Sequence, residues 1–427
     1  MTLLECRQIK IVSLNQYIIT NNQEERMRHV FHLGALFLLA LLLLEPIPTV
    51  RADQNPVVIG IDADMSAGSA QAGEAIRRGA VLAVEEINAA GGVLGRPLAL
   101  EVQDHRGNPL RGVINMEQFA RNPDLLAVLG GLHTPVALEV LDVVHRERII
   151  FLIPWAAGTG VVDNGYDPNF VFRVSVRDEY AGAYLVREVL RAGYRRPGLL
   201  LEQTGWGRSN ERAMLRALKE HDQPVARVEW FHWGVRDMTP QLDRLLSEGA
   251  DVILLVANAP EGAVAVDSMY RRPVPDRRPI VSHWGITGGT FCKVLETPGC
   301  MEGLYFLQTF SFLAPPVPER AAALFQRYQA AFPETAAPRL APAPPGTAHA
   351  YDLVHLLALG VKQAGTLDRD QVRDALERLE FHQGVMRDYA PPFTPDRHDA
   401  LTAEDFRIAC FAPDRAIVPC AITPRRD

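Results

Sequence analysis

The chain has 427 residues, 48% of them hydrophobic and 22% charged, with a formal net charge of -7 at pH 7. That length exceeds one ordinary core and predicts two domains. The mildly acidic balance, without clustered Lys and Arg, gives no electrostatic basis for binding nucleic acid.

Residues 33–44, LGALFLLALLLL, form an apolar block preceded by Arg26, Arg28 and His29 and followed by Pro46, Pro48 and a small Ala52. This is the layout of a secretory signal. The block is too short to cross a bilayer comfortably. Residues 1–52 therefore read as a leader, with 27–52, starting at Met27, as the signal proper. The mature chain is expected to begin near Asp53, in the periplasm. Past the leader stand Cys292, Cys300, Cys410 and Cys420. In an oxidising compartment two local bridges, Cys292–Cys300 and Cys410–Cys420, are the simplest pairing, and four buried thiols are the alternative.

From residue 57 onward, two patterns alternate. VVIGIDA (57–63) reads as a buried strand, Glu74 to Ala90 as a helix ended by Gly91-Gly92, and LALEVQD (98–104) as a second strand. A helix around Val113–Arg121, the strand LAVLGG, a helix from Pro135 and the strand IIFLI (149–153) follow. FVFRV (170–174), a helix over Asp178–Ala192 and GLLLEQ (198–203) continue the series. Next come a helix near Ser209–His221, VARVEWF (225–231), a helix near Pro240–Glu248 and DVILLVA (251–257). PIVSHWG (279–285) and GLYFLQTF (303–310) extend it. Strand alternating with helix at this spacing predicts doubly wound parallel sheets, here two α/β lobes. The Pro- and Ala-rich stretch 332–346 reads as a surface linker, 349–379 as helical, and 406–422 as two short strands around Pro413-Asp414.

No nucleophile elbow, phosphate loop, H-E-x-x-H or complete G-x-G-x-x-G occurs, so no specific case for catalysis, a metal or a cofactor arises. Open α/β sheets bind ligands at the carboxyl ends of their strands. Those ends fall at Met65–Ser69, Gly130–Pro135 and Pro154–Thr159 in the first lobe, and at Thr204–Gly207, Asn258–Glu261 and His283–Gly285 in the second.

GEAIRRGAVLAVEEINAAGGVLGRPLALEVQD (73–104), AYDLVHLLALGVKQAGTLDRDQVRDALERL (350–379) and FTPDRHDAL (393–401) together resemble the branched-chain amino-acid type of periplasmic binding proteins. The resemblance spans most of residues 56–405. It implies a type I periplasmic-binding fold of two lobes joined by three crossovers: 56–176 plus 309–390 as lobe one, 177–308 plus 391–427 as lobe two. It also implies a monomer that traps a small organic ligand and delivers it to an ABC-transporter permease, without a cofactor. A sensory protein feeding a membrane receptor or redox system is the alternative. An exported enzyme using His133 or His283 as base is the more remote one.

Carried over residue by residue, the family's carboxylate-binding hydroxyl matches Thr134, beside His133 at a helix start that adds its dipole. A plain helix cap is the bland reading of the same threonine. The following backbone segment matches Pro154, Trp155, Ala156 and Ala157. The family's aromatic wall falls near Ala72, its second-lobe tyrosines at Trp206 and near Asn258, and its ammonium-binding acid at Trp284, next to His283. The carboxylate half of the site is thus expected to be kept and the ammonium half lost, since a buried ammonium without an acid is costly. Asp62, Asp64 and Glu261 are the substitutes in reach. Trp155, Trp206 and Trp284 predict aromatic walls suited to a carboxylate or amide with an aromatic or apolar body, and the same walls could enclose a cation, which keeps a quaternary or amino compound as the alternative.

Overall fold

The alternating segments assemble into two sheets in the computed structural model, which describes residues 55–295 and 301–425. The leader and signal lie outside the described residues, as does Cys300. In the first lobe the order is β1 (Val57–Ala63), α1 (Ala70–Ala89), β2 (Leu98–Asp104), α2 (Pro109–Ala120), β3 (Leu125–Gly130), α3 (Thr134–Glu139), α4 (Leu141–Arg146), β4 (Ile150–Ile153), α5 (Thr159–Val162) and β5 (Val171–Arg173). Its strands pair in parallel in the order β2-β1-β3-β4-β5. β3 and β4 are buried along their whole length, which explains their unbroken apolar sequences.

The second lobe holds α6 (Asp178–Arg191), β6 (Pro197–Glu202), α7 (Gly205–Glu220), β7 (Val228–Phe231), α8 (Thr239–Ser247), β8 (Val252–Val256), α9 (Ala259–Tyr270), β9 (Ile280–Ser282), α10 (Phe291–Val294) and β10 (Leu304–Gln308). The chain then returns to the first lobe. There α11 (Pro318–Ala331) and α12 (Pro344–Ala364) pack on α1, followed by α13 (Arg369–Leu376) and a small ladder of β11 (His382–Gln383) with β12 (Asp388–Tyr389). Finally β13 (Arg407–Phe411) and β14 (Ile417–Pro419) add antiparallel to β10, so the second sheet reads β14-β13-β10-β9-β8-β6-β7. Three crossovers, near 174–177, 309–317 and 401–406, join the lobes. The architecture is the type I periplasmic-binding fold.

Several local expectations are corrected. α2 begins at Pro109 because Asn108 caps it, its side chain accepting from Arg111 N–H at 3.2 Å. α7 begins at Gly205, where the Thr204 hydroxyl accepts from Trp206 and Gly207 N–H. The helix expected from Pro135 is two short helices divided at Val140. The Pro-rich stretch 332–346 is not all surface linker. Pro344, Pro345 and Gly346 are the buried first turn of α12, where proline costs no helical hydrogen bond.

Residues 397–400, expected with lobe two, run beside β5 through the Arg173–Asp399 bridge. The buried ion pair of these two side chains holds them there. Cys410 and Cys420 stand as free thiols rather than a disulfide. In the β13–β14 ladder Cys410 faces Val418, two residues short of Cys420. Burial, and then the neighbouring Cys410, push the Cys420 thiol well up.

Candidate functional site

The facing strand tips bring most of the sequence-predicted residues together. Trp155, just past β4, and Trp284, in a 3-10 turn after β9, are both buried, with ring centroids 4.9 Å apart. The lobes touch around them. A Cβ on Gly288 of the second lobe would stand 2.2 Å from Leu132 Cδ1 of the first, and one on Gly68 2.9 Å from Pro260 Cγ. Thr159 N–H donates to Ser209 Oγ across the same boundary at 3.1 Å. At Gly289 the neighbour is backbone, the Gly68 carbonyl oxygen at 2.3 Å from a Cβ placed there, and this approach requires glycine.

On the first lobe, Thr134 Oγ1 accepts the N–H of Gly158 at 3.1 Å. It does not cap its own helix, whose N-cap is His133. With its oxygen accepting, the hydroxyl still has its hydrogen to donate. The loop after β4 is braced from below. Arg173 Nη1 donates to the carbonyls of Ala156 (3.2 Å) and Gly158 (2.8 Å), and Ser175 Oγ donates to that of Trp155 (2.7 Å). Ala156 N–H is turned to the Gly131 carbonyl at 3.3 Å and the Ala157 carbonyl accepts from Asp178 N–H at 2.9 Å. These alanines therefore shape the loop through bonds within the protein. Among the described residues Trp155 Nε1–H has no partner.

On the second lobe, Trp206 Nε1–H donates to Asp178 Oδ1 at 3.1 Å and its ring meets His283 edge-on at 5.0 Å. His283 Nδ1 accepts from Trp284 N–H at 2.9 Å, which leaves the proton on Nε2. That nitrogen lies 3.2 Å from Asp178 Oδ1 but out of line for a hydrogen bond. Asp178 Oδ2 is buried and has no partner among the described residues. Asn258 Nδ2 donates to Glu202 Oε2 at 3.2 Å while its Oδ1 is unpaired.

Asp178 is the main residue that sequence reasoning missed, and it changes the expectation of a lost ammonium partner. A buried carboxylate does stand in the cleft, supplied by the start of α6 rather than by the strand end at Trp284. The substitutes considered are engaged elsewhere. Asp62 accepts from Asn115 Nδ2 at 2.7 Å, and Asp64 ties its own loop through Ser66, Ala67 and Ser69 N–H. Glu261 accepts from Gly234 N–H at 2.9 Å. Burial raises the Asp62 carboxyl to about 7.

Glu202, His105, Trp233 and His349 were missed as well. Glu202 had a readable signal, a lone acid closing an apolar strand at its carboxyl end. Burial raises it to about 7 against the hydrogen bonds from Thr204 and Trp233. His105, directly after β2, is pushed down to about 3 by burial and then by the nearby His133. His133, held down to about 4 by burial against the pull of Asp64, touches Trp233 of the other lobe with centroids 5.6 Å apart. His349, on α12, bonds the Pro154 carbonyl (2.8 Å) and Thr309 Oγ1 (3.0 Å) and lies 5.6 Å from the Trp284 ring.

A family profile described as "Periplasmic binding protein" matches residues 56–409. The chain is 24% identical over 333 residues to the Leu/Ile/Val-binding protein BraC3 of Rhizobium johnstonii, covering 77% of this chain and 85% of that one. Among solved structures, a type 1 periplasmic binding protein from Bordetella pertussis superposes with a TM-score of 0.77 at 23% identity, over 86% of this chain and all of that one. An ABC-transporter solute binding protein from R. palustris, in complex with 4-hydroxybenzoate, superposes with a TM-score of 0.72 at 15% identity, over 87% and 98%.

Proposed function

The chain belongs to the periplasmic binding protein family, and from that premise we propose that it binds, outside the cytoplasm, a small solute bearing both a carboxylate or amide and an amine. It holds the solute between its lobes, releases it unchanged and hands it to the membrane permease of an ABC importer. The observation that supports this reading is the set of unpaired donors and acceptors around the tryptophan pair. The first lobe offers donors without acceptors, the Thr134 hydroxyl and Trp155 Nε1–H. Among the described residues the second offers two buried acceptors without a donor, Asp178 Oδ2 and Asn258 Oδ1, beside one donor without an acceptor, His283 Nε2–H. Buried polar groups in native proteins are nearly always paired, and unmade pairs of both kinds facing each other suit a ligand with an accepting end and a donating end. The tryptophan walls suit an apolar body between those ends.

The test is intrinsic tryptophan fluorescence of residues 53–427, titrated with three compounds of one skeleton: the amino acid, its amine-free acid and its acid-free amine. The expected result is saturable binding strongest for the amino acid. Equal binding of the amine-free acid would sink the role given to Asp178. Loss of uptake of the bound solute on deletion of the protein separates transport from a sensory role.

A further inference from the structure

The cleft has a second polar group of residues away from the tryptophan pair. Trp155 and Trp284 follow β4 and β9. His105 and His133 instead follow β2 and β3, and Glu202 and Trp233 belong to the tips of β6 and β7. β2 and β7 are edge strands of the sheets. His105 and Trp233 therefore stand at the outer end of the facing strand tips, where Trp233 is 40% exposed, and His133 and Glu202 reach toward them from β3 and β6 further in.

We propose that this outer end is a second recognition pole, which takes a neutral primary carboxamide at the far end of the ligand. The inference rests on the amino-acid-like reading given above and adds the chemistry of the side chain. His105 Nδ1 accepts from Gly107 N–H at 2.9 Å, so its proton sits on Nε2. That Nε2–H is fully buried and has no partner among the described residues. Beside it, with ring centroids 5.6 Å apart, His133 presents an unpaired Nδ1. With its own proton on Nε2, His133 offers that Nδ1 as an acceptor. One obligatory donor next to one available acceptor is the complement of a carboxamide, whose carbonyl takes the His105 proton and whose NH2 gives one to His133.

The surroundings argue against the other endings. A carboxylate would face His133 Nδ1, acceptor against acceptor. An ammonium would face the His105 N–H, donor against donor. A methyl would leave both ring nitrogens unpaired, and a buried polar group left unpaired is costly. Trp233 closes the pole, its ring edge-on to His133 and its Nε1–H donated to Glu202 Oε2 at 3.1 Å.

The experiment is a fluorescence titration of the mature chain with four α-amino acids. Their side chains are of equal length and end in a carboxamide, a carboxylate, an ammonium or a methyl. The carboxamide is expected to bind about tenfold or more tightly than each of the others. His105→Phe should reduce it to the level of the methyl compound, and His105→Gln, which keeps an N–H donor, should restore part of the difference. Carboxylate, ammonium or methyl compounds binding as tightly as the carboxamide would overturn the second pole while leaving the amino-acid head intact. Failure of all four to bind would overturn the head reading and this one with it. The wild-type ranking decides the matter even if a buried His105 substitution unfolds the chain.

Discussion

Trp155 of the first lobe and Trp284 of the second meet with ring centroids 4.9 Å apart and planes tilted by 36°. Each ring is carried by a loop at the carboxyl end of a parallel strand, so the pair exists only when the lobes are together. Aromatic pairs of this geometry contribute about 0.5–1.5 kcal/mol beyond the area they bury. Trp284→Ala is therefore expected to shift the equilibrium about three- to tenfold toward separated lobes. Small-angle scattering of the ligand-free variant should show a larger radius of gyration than the parent. An unchanged radius would mean that the pair does not hold the lobes.

Removing the charge of Asp178 tests the amine end of the site. Asp178→Asn keeps the size of the side chain and, through its carbonyl, an acceptor for Trp206 Nε1–H. Binding of an amine-bearing ligand is expected to weaken by about 2–5 kcal/mol, the cost of truncating one partner of a buried charge pair. Binding of the amine-free acid should change little. Calorimetric titration of both compounds against both proteins measures the difference directly, and an equal loss for the two would assign Asp178 a purely structural role.

The buried pair Arg173–Asp399 supports the loop that carries Trp155. Arg173 also donates to the carbonyls of Ala156 and Gly158, and Arg177 reaches Asp399 at 3.2 Å. Asp399→Ala leaves a buried guanidinium without its acid and is expected to cost about 3–5 kcal/mol of stability, read from urea unfolding midpoints. Ligand affinity should fall as well, because the loop loses its brace. Full stability in the variant would show that Ala156 and Gly158 alone satisfy the arginine.

Histidine burial sets an acid-side dependence. Burial pushes His349 down to about 4, from an ordinary value near 6.5. The sign follows from linkage. The unfolded chain binds the extra proton between these values, so the contribution is fully present above about 6.5 and is lost as pH falls through about 4. The size is about 3 kcal/mol, from 1.36 kcal/mol per unit. Glu202 and Asp62, both raised to about 7 by burial, act in the opposite sense: their contribution is present at acid pH and lost as pH rises through about 7. A His349→Gln variant isolates the histidine, since it keeps a donor and an acceptor for Pro154 and Thr309. Its stability should fall less steeply than the parent's between pH 6.5 and 4. Parallel pH profiles would count against the assignment.

The sequence by itself determined what local periodicity can carry: two α/β series, the strands that end at the cleft, the placement of Thr134, Trp155, Trp206, Asn258, His283 and Trp284 at those ends, and the family resemblance. These are properties of neighbouring residues, because a buried strand or an amphipathic helix needs only its own pattern. Tertiary structure alone decided which polar atoms are left without partners. Asp178 at a helix start already has a sufficient local explanation in the helix dipole, so nothing in the sequence marks it as a cleft carboxylate. It becomes one because the chain crosses between lobes just before α6 and because α6 packs on α7, bringing Trp206 to it. The same holds for the Asp399 partner of Arg173, 226 residues away. Contacts at that separation are set by the closing of the fold, and a reading that proceeds along the chain does not contain them.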